Sequence, residues 1–181
     1  MKLETQCLHA GYSPESTTNA CAVPLYKTSS FVFNNTEHAA NLFGLRELGN
    51  IYTRLMNPTT DVLEQRVAAM EGGAAALGIA SGTSAVFYSI INLAQEGDEI
   101  VSANNLYGGT YTQFTDILPK FGINVKLVDP NNPANFAAAI TDKTKALFCE
   151  SVSNPGLDVA DIRAIANVAN DHGIPLIVDS T

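Results

Sequence analysis

Beyond residue 74 the chain switches repeatedly between two periods: a short unbroken apolar run, then a longer stretch in which apolar residues recur every three or four positions. This alternation predicts an α/β fold with a mostly parallel sheet, because strands covered by helices on both faces carry apolar residues at every position. The predicted strands are 75–80, 99–103, 124–128, 146–150 and 176–179. Helices are predicted at 83–94, 110–121, 133–140 and 158–172. Gly122 and Gly173 stop two of them, and Pro133 opens another, each in the place where such residues favour a helix boundary.

Residues 1–58 follow neither period. Turn-rich segments at 11–18 and 34–37 precede a single short helical pattern at 38–46, which predicts an arm folded on another surface. A helix at 59–70, closed by Gly72 and Gly73, leads into the sheet region, so the expected organisation is an arm over 1–58 and the first part of a larger domain over 59–181. The last predicted strand ends at Asp179 with no helix after it. Doubly wound sheets place their chemistry in loops at the carboxyl ends of strands, so these residues are expected to be the amino-terminal part of a longer protein.

Composition narrows the function classes. With 46% hydrophobic and 15% charged residues among 181, the chain can bury a core. Ten Lys and Arg against eighteen Asp and Glu give a net charge of -8, with no basic block to neutralise phosphates, which argues against nucleic-acid and anionic-membrane partners. The polar opening and the lack of a long apolar window predict a cytoplasmic protein. Cys7, Cys21 and Cys149 are odd in number and scattered, and none pairs with His or Cys at ligand spacing, so neither a disulfide framework nor a metal site is expected.

The strongest local signal is Ala80-Ser81-Gly82-Thr83-Ser84-Ala85, between an apolar run and a helix. Small residues at a helix N-terminus let backbone N–H groups approach an anion such as phosphate; a tight turn with a capping Ser is the plain alternative. Asp179 ends an apolar strand, where it either caps a turn or faces a protonated ring nitrogen, the pairing used by pyridoxal phosphate (PLP) sites. Tyr107, Asn154 and the pair Tyr52 and Arg54 sit in loops marked by Gly, Pro or turn residues, and read as turn residues or as a stacking ring, a polar contact and a phosphate fork. His9, His38 and His172 form no Ser-His-Asp or Cys-His pattern, which argues against a hydrolase.

Taken in order, these segments resemble the Cys/Met-metabolism family of PLP-dependent enzymes, of fold type I. The carrying residues are Leu8-His9-Ala10-Gly11, Gly49-Asn50-Ile51-Tyr52-Thr53-Arg54 with Asn57-Pro58-Thr59, the segment around Gly82, Tyr107-Gly108-Gly109-Thr110-Tyr111, Ser153-Asn154-Pro155 and Val178-Asp179-Ser180-Thr181. Leu8 to Tyr12, Glu37-His38-Ala39-Ala40 and the run 49–61 look most like the O-acetylhomoserine sulfhydrylase branch. The methionine γ-lyases usually carry Cys where this chain has Gly109.

The resemblance implies a three-layer α/β/α domain of the aspartate aminotransferase type. Its strands would lie in the order 124–128, 99–103, 146–150, 176–179, with 75–80 at the far edge, reached through two strands beyond Thr181. It implies pyridoxal 5'-phosphate as cofactor, with its phosphate on Ser81, Gly82 and Thr83, Tyr107 on the ring, Asn154 near the ring hydroxyl and Asp179 on the ring nitrogen. Tyr52 and Arg54 would reach the phosphate of a neighbouring subunit, in a tetramer built from dimers with shared sites, and Tyr107 and Tyr52 would take part in catalysis. Lys2, Lys27, Lys120, Lys126, Lys143 and Lys145 match no Schiff-base lysine loop, so the 181 residues alone are expected to be inactive.

The implied reaction of the full-length protein is γ-replacement, O-acetyl-L-homoserine and sulfide giving L-homocysteine and acetate. Methionine γ-lyase and cystathionine γ-synthase or γ-lyase activities are the alternatives within the family. A non-catalytic fragment is the alternative outside it.

Overall fold

The computed structural model describes all 181 residues, in two compact units, Met1–Gly78 and Ile79–Thr181. The first contains helices α1 (Leu3–His9), α2 (Thr36–Phe43) and α3 (Pro58–Glu71). The second contains α4 (Gly82–Ile91), β1 (Glu99–Ala103), α5 (Gly108–Thr112), β2 (Asn124–Val128), α6 (Ala134–Ala139), β3 (Thr144–Glu150), α7 (Ile162–Asp171) and β4 (Leu176–Asp179). No helix is long and apolar enough to cross a membrane.

In the first unit only Leu42 and Ile51 are buried apolar residues, so side-chain hydrogen bonds take over much of the task of holding the chain. Helix α3 begins at Asn57, whose side chain accepts the Thr59 N–H while its amide donates to Tyr26 O at 2.9 Å. Thr59 Oγ1 donates to Pro24 O at 2.7 Å, and Thr53 Oγ1 donates to Thr28 O. The start of α3 thus holds the stretch 24–26, and Thr53 holds Thr28 beside it. Pro58 at the first helical position needs no N–H partner, and Gly72 closes the helix in the left-handed region at φ 64. Helix α1, which the hydrophobic pattern does not predict, packs on α3. Gly11, at φ 73, permits that approach, because a Cβ there would lie 2.8 Å from Gln65 Cβ. Helix α3 lies within the first compact unit.

In the second unit the four strands are parallel in the order β2-β1-β3-β4, as the resemblance implies. Central position explains the apolar runs: β1 and β3 are buried along nearly their whole length, while β2 and β4 at the edges are half-buried. Helices α6 and α7 pack on each other and on the sheet, and α4 packs on α5. Ile90, Phe114, Phe136 and Phe148 are fully buried in the core, with Phe114 and Phe148 edge to face at 4.9 Å between ring centroids.

Residues 75–80 are not a strand, contrary to expectation. The sheet ends at β2 and β4, and no neighbour offers residues 75–80 a hydrogen-bonded ladder. The predicted helix over 110–121 is a composite: α5 begins two residues earlier, a π turn follows at Gln113–Ile117, and a 3-10 turn at Leu118–Phe121 ends at Gly122. Pro119 accounts for the break, since it has no N–H to donate and its ring crowds the preceding turn. Helix α7 starts at Ile162 rather than at 158, because the Asp161 side chain caps it by accepting the Ala164 N–H and Val159 is drawn into a bridge with Val152.

Candidate active site

Parallel strands deliver their carboxyl ends to one edge of the sheet, and three of them supply the walls of a cavity of about 420 Å³. The loop after β1 brings Tyr107, the end of β3 and the loop after it bring Glu150 and Asn154, and β4 brings Asp179; Gly82 and Thr83 line the same cavity from the start of α4. Its volume is in the range of small-ligand sites, about 300–1,000 Å³.

Helix α4 explains the anion-binding chemistry of its wall. Ser81 caps it, accepting the Ser84 N–H at 3.2 Å, and the Ser81 carbonyl takes the Ala85 N–H at 3.0 Å. Gly82 and Thr83 are the first helical residues, so their N–H groups have no partner within the helix and remain for a ligand at its positive end. Ser81 itself spends its hydroxyl on Ser84, to which it also donates at 2.9 Å, and does not line the cavity.

Asp179 is held from one side only. Its Oδ1 accepts the Thr181 N–H at 2.9 Å and the Thr181 hydroxyl at 2.6 Å, which leaves Oδ2 unshared. Tyr107 caps α5 and is half-exposed, and its ring rests against Gly109. A Cβ at Gly109 would stand 2.5 Å from the ring's Cε1, so the position requires Gly for this ring placement. The Asn154–Pro155 peptide is cis. Gly109→Ala is therefore expected to displace the Tyr107 ring. Because the ring can move into solvent, stability should change by about 0.5 kcal/mol or less. Affinity for a flat aromatic ligand should fall by up to about 10-fold, the worth of one stacking contact. Chemical denaturation and a ligand titration of the same variant check both halves, and unchanged affinity would show that the ring does not stack.

Glu150 is the site residue that the sequence reading missed. It ends β3 as Asp179 ends β4, and the two are direct partners across the parallel ladder. It is buried, at 7% exposure. Its Oε1 accepts the Tyr107 N–H at 2.7 Å. Burial, reinforced by the nearby Asp179 charge, pushes its pKa up, against the pull of the Tyr107 N–H. The adjacent Cys149 thiol is pushed up to about 11, by burial first and by Glu150 second, so it stays protonated and unreactive. The signal for Glu150 was present: a carboxylate closing an apolar strand, the same pattern that singled out Asp179.

Tyr52 and Arg54 lie in the first unit, where the Arg54 guanidinium stands over the Tyr52 ring at 5.2 Å from its centroid. Tyr52 joins Ser30 in an antiparallel bridge and is 40% exposed. Arg54 has no carboxylate within salt-bridge distance and lines a separate cavity of about 630 Å³.

Comparison with known proteins adds the decisive observation. The model of the Cys/Met metabolism PLP-dependent enzymes matches residues 4–181. The chain belongs to that family. It is 55% identical over 180 residues to an O-acetyl-L-homoserine sulfhydrylase of Leptospira meyeri, covering 99% of this chain and 41% of that protein. It is 51% identical over 178 residues to a homocysteine synthase of Schizosaccharomyces pombe, covering 98% of this chain and 42% of that protein. A crystal structure described as O-acetylhomoserine (thiol)-lyase from Campylobacter jejuni superposes with a TM-score of 0.96 at 44% identity, covering 100% of this chain and 44% of that one. That structure contains N'-pyridoxyl-lysine-5'-monophosphate.

The family membership accounts for the fold, which is that of the fold type I PLP enzymes, and for the sheet order. The chain spans about two fifths of the length of the curated relatives it matches. The cavity fits the family's cofactor on its own chemistry: two free amides at a helix start suit a phosphate, an unshared carboxylate oxygen suits a protonated ring nitrogen, and Tyr107 supplies a flat face. None of the six lysines of this chain lines it.

Proposed function

We propose that the intact protein is a PLP-dependent O-acetylhomoserine sulfhydrylase that exchanges acetate for sulfide at the γ carbon of O-acetyl-L-homoserine, giving L-homocysteine and acetate. The observation that carries this reading is the meeting, in one cavity, of the free amides of Gly82 and Thr83 with the carboxylate of Asp179. The 55% identity to the Leptospira meyeri sulfhydrylase supports the choice of reaction.

Bound pyridoxal phosphate supplies an electron sink for the amino-acid substrate. The chain's own residues do the rest. Gly82 and Thr83 hold the phosphate through their N–H groups, with the dipole of α4 favouring its charge. Asp179 keeps the proton on the ring nitrogen by presenting Oδ2, its other oxygen being occupied by Thr181. Tyr107 covers one face of the ring, and its hydroxyl is the group we assign to proton movement near the departing acetate. Asn154 donates to the ring hydroxyl. Ser81 contributes by fixing the start of α4.

Tyr52 and Arg54 serve the phosphate of a neighbouring subunit in a homotetramer of dimers with shared sites. The exposure of Tyr52 and the unpaired guanidinium of Arg54 support this role. In this reading 1–58 is the arm that reaches the neighbour, 59–181 opens the cofactor domain, and the protein works in the cytoplasm.

The test is turnover by the intact protein. With O-acetyl-L-homoserine and sulfide, homocysteine and acetate should form in equal amounts. Methionine or cystathionine offered alone should yield little 2-oxobutanoate. Faster breakdown of methionine or cystathionine than replacement would assign a lyase instead. No turnover in a protein shown to hold pyridoxal phosphate would favour a non-catalytic role.

A further inference from the structure

We propose that Gln113 is a positioning residue: it holds the first turn of α4, whose free amides line the cavity, against the helical stretch that follows Tyr107. Its Nε2 donates to Thr83 O at 2.9 Å. Within the second unit this is the one hydrogen bond that joins α4 to the segment 104–121. The bond lands on a residue whose own N–H is left for a ligand. The direction of that N–H is thereby tied to Gln113 through the two backbone torsions of a single residue. Ser81 caps α4 from within the same turn, so it shapes the turn without fixing it to the rest of the unit.

The other end of the same amide shows what Gln113 is for. The residue is 9% exposed, and its Oε1 is buried with no protein group donating to it. An unpaired buried oxygen destabilises a fold, and an apolar side chain of the same length would avoid it. Thr83 O does not need the second donor either, since a carbonyl inside a helix already takes the N–H four residues on. Folding therefore gains little from Gln at this position. What Gln supplies, and Met would not, is the hold on α4. Its backbone is a firm anchor, because it opens the π turn beside Phe114, which is buried, with Leu118 buried just beyond. Single π turns set into helices recur at functional sites.

That the anion at α4 is a cofactor phosphate rests on the cofactor reading; that Gln113 holds the turn does not. The intact protein, freed of cofactor, is compared with its Gln113→Met variant, in which donor and unpaired oxygen are both gone. Amide exchange in residues 84–88, followed by mass spectrometry, should quicken by about 5-fold, the worth of one hydrogen bond, while α7 keeps its protection. The dissociation constant for pyridoxal 5'-phosphate, read by absorbance titration, should rise by about 5-fold. That for pyridoxal, which has the same ring and aldehyde but no phosphate, should stay within about 2-fold of the parent's. The midpoint of chemical denaturation should equal or exceed the parent's, because the unpaired oxygen is lost together with the bond.

Equal weakening of both ligands would make Gln113 a packing residue and overturn the proposal. Unchanged affinity for pyridoxal 5'-phosphate, or unchanged exchange at 84–88, would overturn it as well. So would a denaturation midpoint below the parent's, which would make the amide a core contact first. If Gln113→Met does not fold, Gln113→Leu, which also lacks the donor, is read with the same two ligands. A parent protein that binds pyridoxal 5'-phosphate no better than pyridoxal would remove the phosphate from this cavity, and exchange at 84–88 would still decide whether Gln113 holds α4.

Discussion

Replacing Asp179 in the variant Asp179→Asn is expected to lower turnover of the intact protein by about 1000-fold while leaving it folded. Two opposite unit charges about 4 Å apart attract by roughly 4 kcal/mol at the effective dielectric of a partly exposed site, and each 1.4 kcal/mol or so is worth a factor of ten in rate. Asn has the same shape and can still accept the two bonds from Thr181 that Oδ1 receives now. It carries no charge, so it cannot keep a ring nitrogen protonated. The fold should survive because the strand's ladder bonds are backbone bonds, including the Ser151 N–H to Asp179 O at 2.9 Å. Kinetics with O-acetyl-L-homoserine and sulfide, alongside circular dichroism, provide the check. A variant retaining a tenth of the parental rate would return Asp179 to the status of a turn residue.

The second large effect lies in the core. Phe148→Ala should destabilise the second unit by about 3–5 kcal/mol, the usual cost of emptying a buried aromatic site. Phe148 is 0% exposed on the central strand β3 and meets Phe114 edge to face, so neighbours from both the sheet and the π turn would border the void. Against a typical total of about 5–15 kcal/mol, such a loss removes a large part of the stability. The midpoint of denaturant unfolding, followed by the protection of amides in β1 and β3, measures it. A loss under about 1 kcal/mol would mean that the core closes over the gap, as cores seldom do after so large a truncation.

These two residues illustrate different kinds of information. Phe148 was legible as part of an apolar run whose meaning is independent of distant partners. Asp179 was legible as an exception within such a run. A carboxylate at the end of a buried strand costs free energy unless something uses it, which marks it as a candidate before any fold is known. Glu150 shows the same exception, yet nothing along the chain says that its carboxyl meets the backbone of residue 107, forty-three positions earlier.

The sequence by itself determined the class of fold, the core strands, the capped helix start at Ser81 to Thr83 and the family to which the chain belongs. The first three depend on periodicity, caps and turn residues written within a few positions of one another; the family rests on the resemblance of a set of short segments taken in order along the chain. Only the tertiary structure decided that residues 75–80 have no ladder, that Pro119 divides one helix into three turns, and that helix α3 packs on α1. It alone brought Gly82, Tyr107, Asn154 and Asp179 to one cavity and set the Glu150 carboxyl on the backbone of Tyr107. The physical reason is that a strand needs a neighbour to satisfy its backbone, and a buried carboxylate needs donors from wherever the fold delivers them. Local pattern specifies what each segment can become; long-range hydrogen bonding and burial select what it does become.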